Sequence, residues 1–308
     1  MKHVFSVSVL LAGLFLPLPF SRCFAESAPA SGFTISPFYR EIDIQKSQER
    51  VSFAIDVTNN SQQIAEFRVS VLDFGALDET GGVAFLGSSD SLKYALASWV
   101  QLENDTLLIK AGETQTVRGY VENRDSLSPG GHYGAIYLKS EGPGVSAETR
   151  RNVAFDPSMA SLLFVRKVGG EVYDMRLDGR EYPRSLFTLP SSVTLRFQNI
   201  GNVHVIPRGT VKITDPLGRV VRSGVINEQS GIVLPEAFRK LSANLMRVET
   251  PFIPGRYTVT IGYRYDGKDS TDSNISDYIY IPPIFALAMA VIVVLSMLTF
   301  RYLRAKNV

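Results

Sequence analysis

The sequence predicts an all-β protein that ends in one apolar helix. Three observations carry this reading. Side chains alternate apolar and polar with period two through the middle of the chain, a Pro-Gly turn leading into a Tyr occurs twice, and Ile284 to Phe300 is a run without a charge.

Val51, Phe53, Ile55 and Val57 alternate with Ser52, Ala54, Asp56 and Thr58, which lays one apolar face on a core. Asn59-Asn60-Ser61 breaks the run, and Phe67, Val69 and Val71 resume it, so the spacing predicts an antiparallel pair around a polar turn. Val117 to Val121 and His132 to Leu138 also read as strands. Leu92 to Trp99 is the exception, a short helical turn or a loop whose Trp99 is expected in the core.

The same pattern returns. Val193, Leu195 and Phe197 alternate with Thr194, Arg196 and Gln198; Asn199-Ile200-Gly201-Asn202 interrupts, Val211 to Thr214 resumes, and Asp215-Pro216-Leu217-Gly218 turns. Pro129-Gly130-Gly131-His132-Tyr133 in the first unit is matched by Pro254-Gly255-Arg256-Tyr257 in the second. A Tyr placed this way near the start of a penultimate strand suits a tyrosine corner, its ring packed and its hydroxyl on nearby backbone. Strand spacing gives about seven strands per unit, as immunoglobulin-like β-sandwiches need. The first sandwich is expected over 33–168 and the second over 169–281, divided at Val168-Gly169-Gly170. Ser161 to Val165 reads as the last strand of the first, Ile275 to Ile281 as the last of the second, and Glu141-Gly142-Pro143-Gly144 as a loop within the first.

The two ends read as export and anchoring signals. Residues 1–25 carry a basic start, an apolar run from Val4 to Phe20 and a small-residue site at Ala25, the layout of a cleaved signal peptide; Ala28 and Ala30 are alternative cleavage points. Ten residues of Ile284 to Phe300 are Leu, Ile, Val or Phe, favouring insertion by about 3–6 kcal/mol on the biological scale. A transmembrane helix is expected over 282–303. The basic tail at 304–308 would then be cytoplasmic, with Arg301 beside it, and the sandwiches extracytoplasmic. Pro282-Pro283 leaves almost no linker between the last strand and the helix.

Lys2, Arg22, Arg301, Arg304 and Lys306 belong to the ends, so the outer region keeps fewer bases than the 30 acids of the chain. No basic stripe recommends nucleic acid. The one Cys, Cys23, falls in the signal, which removes disulfides and thiol chemistry from the mature chain.

Ile35-Ser36-Pro37, Asn59-Asn60-Ser61, Ala97-Ser98-Trp99-Val100, Pro129 to Gly134, Asn199 to Val203 and the closing anchor together resemble the bacterial WxL-interacting cell-surface proteins. The first unit also resembles the N-terminal sandwich of periplasmic pilus-assembly chaperones. The resemblance implies two immunoglobulin-like domains, one C-terminal span, and binding of peptidoglycan or a partner surface protein. Against the pilus chaperones the chain departs in carrying a membrane anchor. Arg40 is the one candidate for a member of their cationic pair, which receives a subunit carboxylate.

The residues offer little for catalysis. His132 and His204 are the histidines of the mature chain, and neither sits in an HExxH spacing or a nucleophile elbow. Asp266, Asp269, Asp272 and Asp277 invite a calcium reading, but their spacing misses the EF-hand pattern, and Tyr265-Asp266-Gly267-Lys268 reads better as a hairpin turn. Asp73 and Glu66 read as strand-face charges rather than a glycosidase pair. The expectation is a non-enzymatic, membrane-anchored binding or scaffold protein of the cell envelope, with an anchored assembly chaperone as the alternative. No catalytic, cofactor or metal site is expected, and no binding residue is singled out.

Overall fold

A computed structural model describes residues 32–88, 92–141, 158–268 and 271–306. The expected signal peptide with Cys23, most of the loop Glu141 to Gly144, and Asp269 lie outside the described residues.

Two β-sandwiches and one helix make up the fold. In the first sandwich, one sheet runs β1 (Phe33–Ser36), β3 (Arg50–Asn59), β8 (Thr114–Glu122), β6 (Val100–Leu102). The facing sheet runs β2 (Tyr39–Ile44), β10 (Ser158–Lys167), β9 (Gly130–Ser140), β4 (Ala65–Ala76), β5 (Val83–Gly87), with β7 (Thr106–Ile109) on the other end of β4. The chain changes sheets at the cis Ser36–Pro37 bond: β1 is antiparallel to β3, and β2 is parallel to β10.

The alternation in β3 places Phe53, Ile55 and Val57 inward, where they meet Phe67, Val69, Ile136, Leu138 and Leu163 of the facing sheet. Burying each such side chain contributes roughly 1.5–3 kcal/mol.

This arrangement corrects the expected hairpin. β3 and β4 do not pair but lie in opposite sheets, because the chain arches across the core at Asn59. Apolar alternation reports which face is buried and is silent on the partner. The helical turn expected before Trp99 is a 3₁₀ turn at Ala97–Trp99, but Trp99 itself is only half-buried, under the Arg124 guanidinium at 5.5 Å.

The second sandwich faces a sheet of β11 (Met175–Glu181), β12 (Ser192–Asn199) and β15 (Phe238–Asn244) against a larger one. The larger runs β16 (Met246–Arg247), β14 (Val220–Ile226), β13 (Arg208–Thr214), β17 (Gly255–Arg264), β18 (Asp272–Tyr280). Val193, Leu195 and Phe197 pack against Val211, Ile213, Tyr257, Val259 and Ile261. Tyr265 to Lys268 turns between β17 and β18, closed by the Lys268 N–H on the Tyr265 carbonyl at 3.1 Å, with Gly267 at φ +78.

Helix α1 (Pro283–Lys306) begins three residues after β18 ends. Its window Pro283–Ala305 has a mean hydropathy of 2.5 and no residue buried, so it stands clear of both sandwiches and is long and apolar enough to cross a membrane.

Candidate functional site

The two sandwiches meet through specific contacts rather than a bare linker. The turn between β4 and β5 carries Glu79 onto the second sandwich, where its carboxylate takes two bonds from Arg196 of β12, at 2.9 Å from Nε and 2.6 Å from Nη2. The Glu79 carbonyl also accepts the Lys240 N–H at 2.7 Å. A bidentate pair of this kind fixes direction as well as distance. Arg196 also reaches Asp178 and lies over the Phe238 ring. Nearby, Lys93 pairs with Glu236 across the same seam.

Tyr133 joins the sandwiches at a second point. Its hydroxyl accepts the His204 N–H at 2.8 Å, and its ring packs with Phe74, Phe164 and the His204 ring. Burial pushes the Tyr133 phenol well above its ordinary range. This departs from the expected tyrosine corner. Tyr257 makes one, its hydroxyl donating to the Ile253 carbonyl at 2.7 Å, whereas Tyr133 faces the neighbouring sandwich and spends its hydroxyl there.

Between these contacts lies a cleft of about 300 Å³. Phe38, Tyr39, Val83 and Phe164 line it from the first sandwich, Ile232 and Leu234 from the second. One cation enters this apolar space: Arg239 of β15. Its Nη1 donates to the Ile232 carbonyl, its Nε is buried with no partner, and no carboxylate pairs with it among the described residues. Burial alone holds its pKa below the ordinary guanidinium value. Two glycines, one from each sandwich, make room for the group. A Cβ on Gly81 would sit 2.2 Å from Nη2, and one on Gly231 2.8 Å from it. Gly81 also has φ +100, which side chains other than glycine rarely adopt.

An open strand edge leads into this cleft. β2 pairs with β10 only from Leu162 onward, so Ser158 to Ser161 are paired with β9 on one side and with no strand on the other among the described residues. The Leu162 N–H points to the β2 side, onto the Phe38 carbonyl at 2.9 Å. By the two-residue alternation, Ala160 presents its backbone groups to the same side. Leu162 lines the cleft, and Phe38 and Tyr39, both exposed, form its lip.

None of the residues singled out in the sequence lines the cleft, though His204 lies on the seam beside it. His132 is buried, with its ring nitrogens 2.9 Å from the Ala95 carbonyl and 2.8 Å from the Ser128 carbonyl, and burial lowers its pKa. His204 lies on the sandwich seam, its pKa also lowered, first by burial, with Glu41 3.8 Å from Nε2. His132 and Tyr133 are successive β9 residues on opposite faces, so the two imidazoles are not brought together. Asp266 is taken by Arg208 and the Ile206 N–H, Asp272 by Lys268, and Asp277 by Arg256. Among the described residues no group of three His, Cys, Asp or Glu could hold a metal. Asp73 accepts the Leu96 and Ala97 N–H groups at 2.7 Å each and so anchors the 3₁₀ turn, while Glu66 is exposed. Arg40 is exposed, donates to the Ala54 carbonyl at 3.1 Å, and is not in the cleft wall.

The chain matches no family model, that of the WxL-interacting proteins included, and no curated protein. Among solved structures it is similar to a chain of the chaperone–tip adhesin complex of CFA/I fimbriae biogenesis, at TM-score 0.44 and 11% identity, over 82% of this chain and 99% of that one. The class 5 fimbriae chaperone CfaA gives TM-score 0.42 and 11% identity, over 81% and 100%. The E. coli chaperone DraB gives 0.36 and 15%, over 79% and 97%.

Proposed function

We propose that this protein is a membrane-tethered, extracytoplasmic holder of another envelope protein, capturing an extended segment of it in the manner of an assembly chaperone. The observation that supports this is the continuity of the open β10 edge at Ser158–Ser161 with an apolar cleft containing Arg239. An extended segment would add to the free edge through its backbone, place apolar side chains against Phe38, Phe164 and Ile232, and bring an acidic group to the unpaired guanidinium. The proposed activity is binding without chemistry: Glu79 is committed to Arg196, Asp266 to Arg208 and the Ile206 N–H, and Asp73 to backbone donors.

Photo-crosslinking from Ala160 and Ile232 in the full chain in its own envelope tests the reading. Adducts with one or a few envelope proteins are expected, weakened by Ala160→Pro, which removes an edge donor, and by Arg239→Gln. Adducts with peptidoglycan alone, or none, would overturn it. Release of the captured protein once it has folded separates a chaperone from a standing scaffold, whose contact persists.

A further inference from the structure

We infer that the lower end of the second sandwich is a membrane-seating surface, whose loop tips enter the lipid interface around the root of α1. This rests on the reading of α1 as a membrane span.

Strand directions identify which loops surround the root. β18 ends at Tyr280, paired with Gly255 at the start of β17; Thr214 at the end of β13 pairs with Thr258, and Ser192 at the start of β12 pairs with Asn244. The segments 182–191, 215–219 and 248–254 therefore emerge at the end where the helix begins. Contacts tie them to it: the Ile281 N–H donates to the Leu186 carbonyl at 2.6 Å, and Gly255 lies against Pro216.

Each of these loops carries a large apolar side chain into solvent. Leu217 is 69% exposed, Phe252 50%, Leu186 50% and Phe187 48%. What matters is that these side chains gather at one end of the sandwich, since apolar residues scattered singly on a surface are ordinary. Basic side chains accompany them. Arg184 and Arg247 are exposed without a carboxylate partner among the described residues, while Arg219, paired with Asp215, lies 4.5 Å from the centre of the Phe252 ring. Apolar tips flanked by the two arginines without carboxylate partners match a bilayer with anionic headgroups.

The continuity with α1 decides the occupant. Only Ile281 and Pro282 separate β18 from the helix, so a helix seated in a bilayer draws these tips to its surface. A soluble partner would have to compete with lipid that is already there.

The test uses the full chain, with Trp99→Phe to remove the native fluorophore, in vesicles of phosphatidylcholine and phosphatidylglycerol with brominated acyl chains. Tryptophan introduced by Leu217→Trp or Phe252→Trp is expected to lose roughly half its emission, because interfacial side chains reach ~5–10 Å into the headgroup and acyl boundary. Leu86→Trp, on β5 of the first sandwich, is expected to keep its emission, and Val293→Trp within α1 to lose most of it. Quenching at 293 with loop positions matching 86 overturns this inference alone. No quenching at 293 overturns the membrane span, and this inference with it.

Discussion

Asn59 and Asn199 hold equivalent places in the two sandwiches and make matching bonds to backbone. Each is buried at the end of an inner strand. Asn59 Nδ2 donates to the Gln63 and Ile109 carbonyls at 2.7 and 3.0 Å, and its Oδ1 accepts the Ser61 N–H at 2.9 Å. Asn199 Nδ2 donates to the Val203 and Val233 carbonyls at 2.7 and 2.9 Å, and its Oδ1 accepts the Gly201 N–H at 2.9 Å. In both, one side chain closes the turn after the strand and staples it to a distant segment. The internal repeat is thus a repeat of polar stapling as well as of apolar alternation.

Asn59→Ala and Asn199→Ala are each expected to lower stability by about 2–4 kcal/mol, since each strands buried backbone groups as well as removing bonds. Urea denaturation of the two variants checks this, with similar losses expected from both.

The two tyrosines of the matching Pro-Gly turns are expected to separate in their effects. Tyr257→Phe removes a bond inside one sandwich and should cost about 0.5–1.5 kcal/mol. Tyr133→Phe removes the acceptor of the His204 N–H, so its effect should appear in the seam, as faster amide exchange at His204, with the cores little changed.

Loss of the Glu79–Arg196 pair is expected to loosen the sandwiches rather than unfold them. Glu79→Ala should increase the radius of gyration in small-angle scattering and speed proteolysis in 76–83, while each core melts as before. An unchanged scattering profile would show that the apolar seam suffices.

Acid is expected to weaken the fold. Burial holds His132 and His204 below the ordinary imidazole range, so the unfolded chain takes up protons first. Their contribution is full above about pH 6.5 and is lost as pH falls through the lower folded values. The urea midpoint should drop between about pH 7.5 and about pH 5, and His132→Gln with His204→Gln should shrink that drop.

Much of the architecture is legible in the alternation at Val51 to Val57 and Val193 to Phe197, because burying one face of a strand leaves a period in the sequence. Pairing is less legible. Phe67 and Val69 read the same whether β4 sits beside β3 or across the core from it. The cleft is not legible at all: Gly81, Gly231 and Arg239 come together only after folding, and a single Arg in a strand carries no spacing signal. Asp73 and His132 drew notice because of their chemistry, and folding commits both to backbone.

The short Ile281-Pro282 junction has a geometric consequence for capture. Nine residues of β18 at about 3.3 Å each put the seam between the sandwiches roughly 30 Å above the root of α1. If the protein holds a client as proposed, a cleft without a leash works at one altitude, and a client that keeps its binding segment lower or higher would pass untouched.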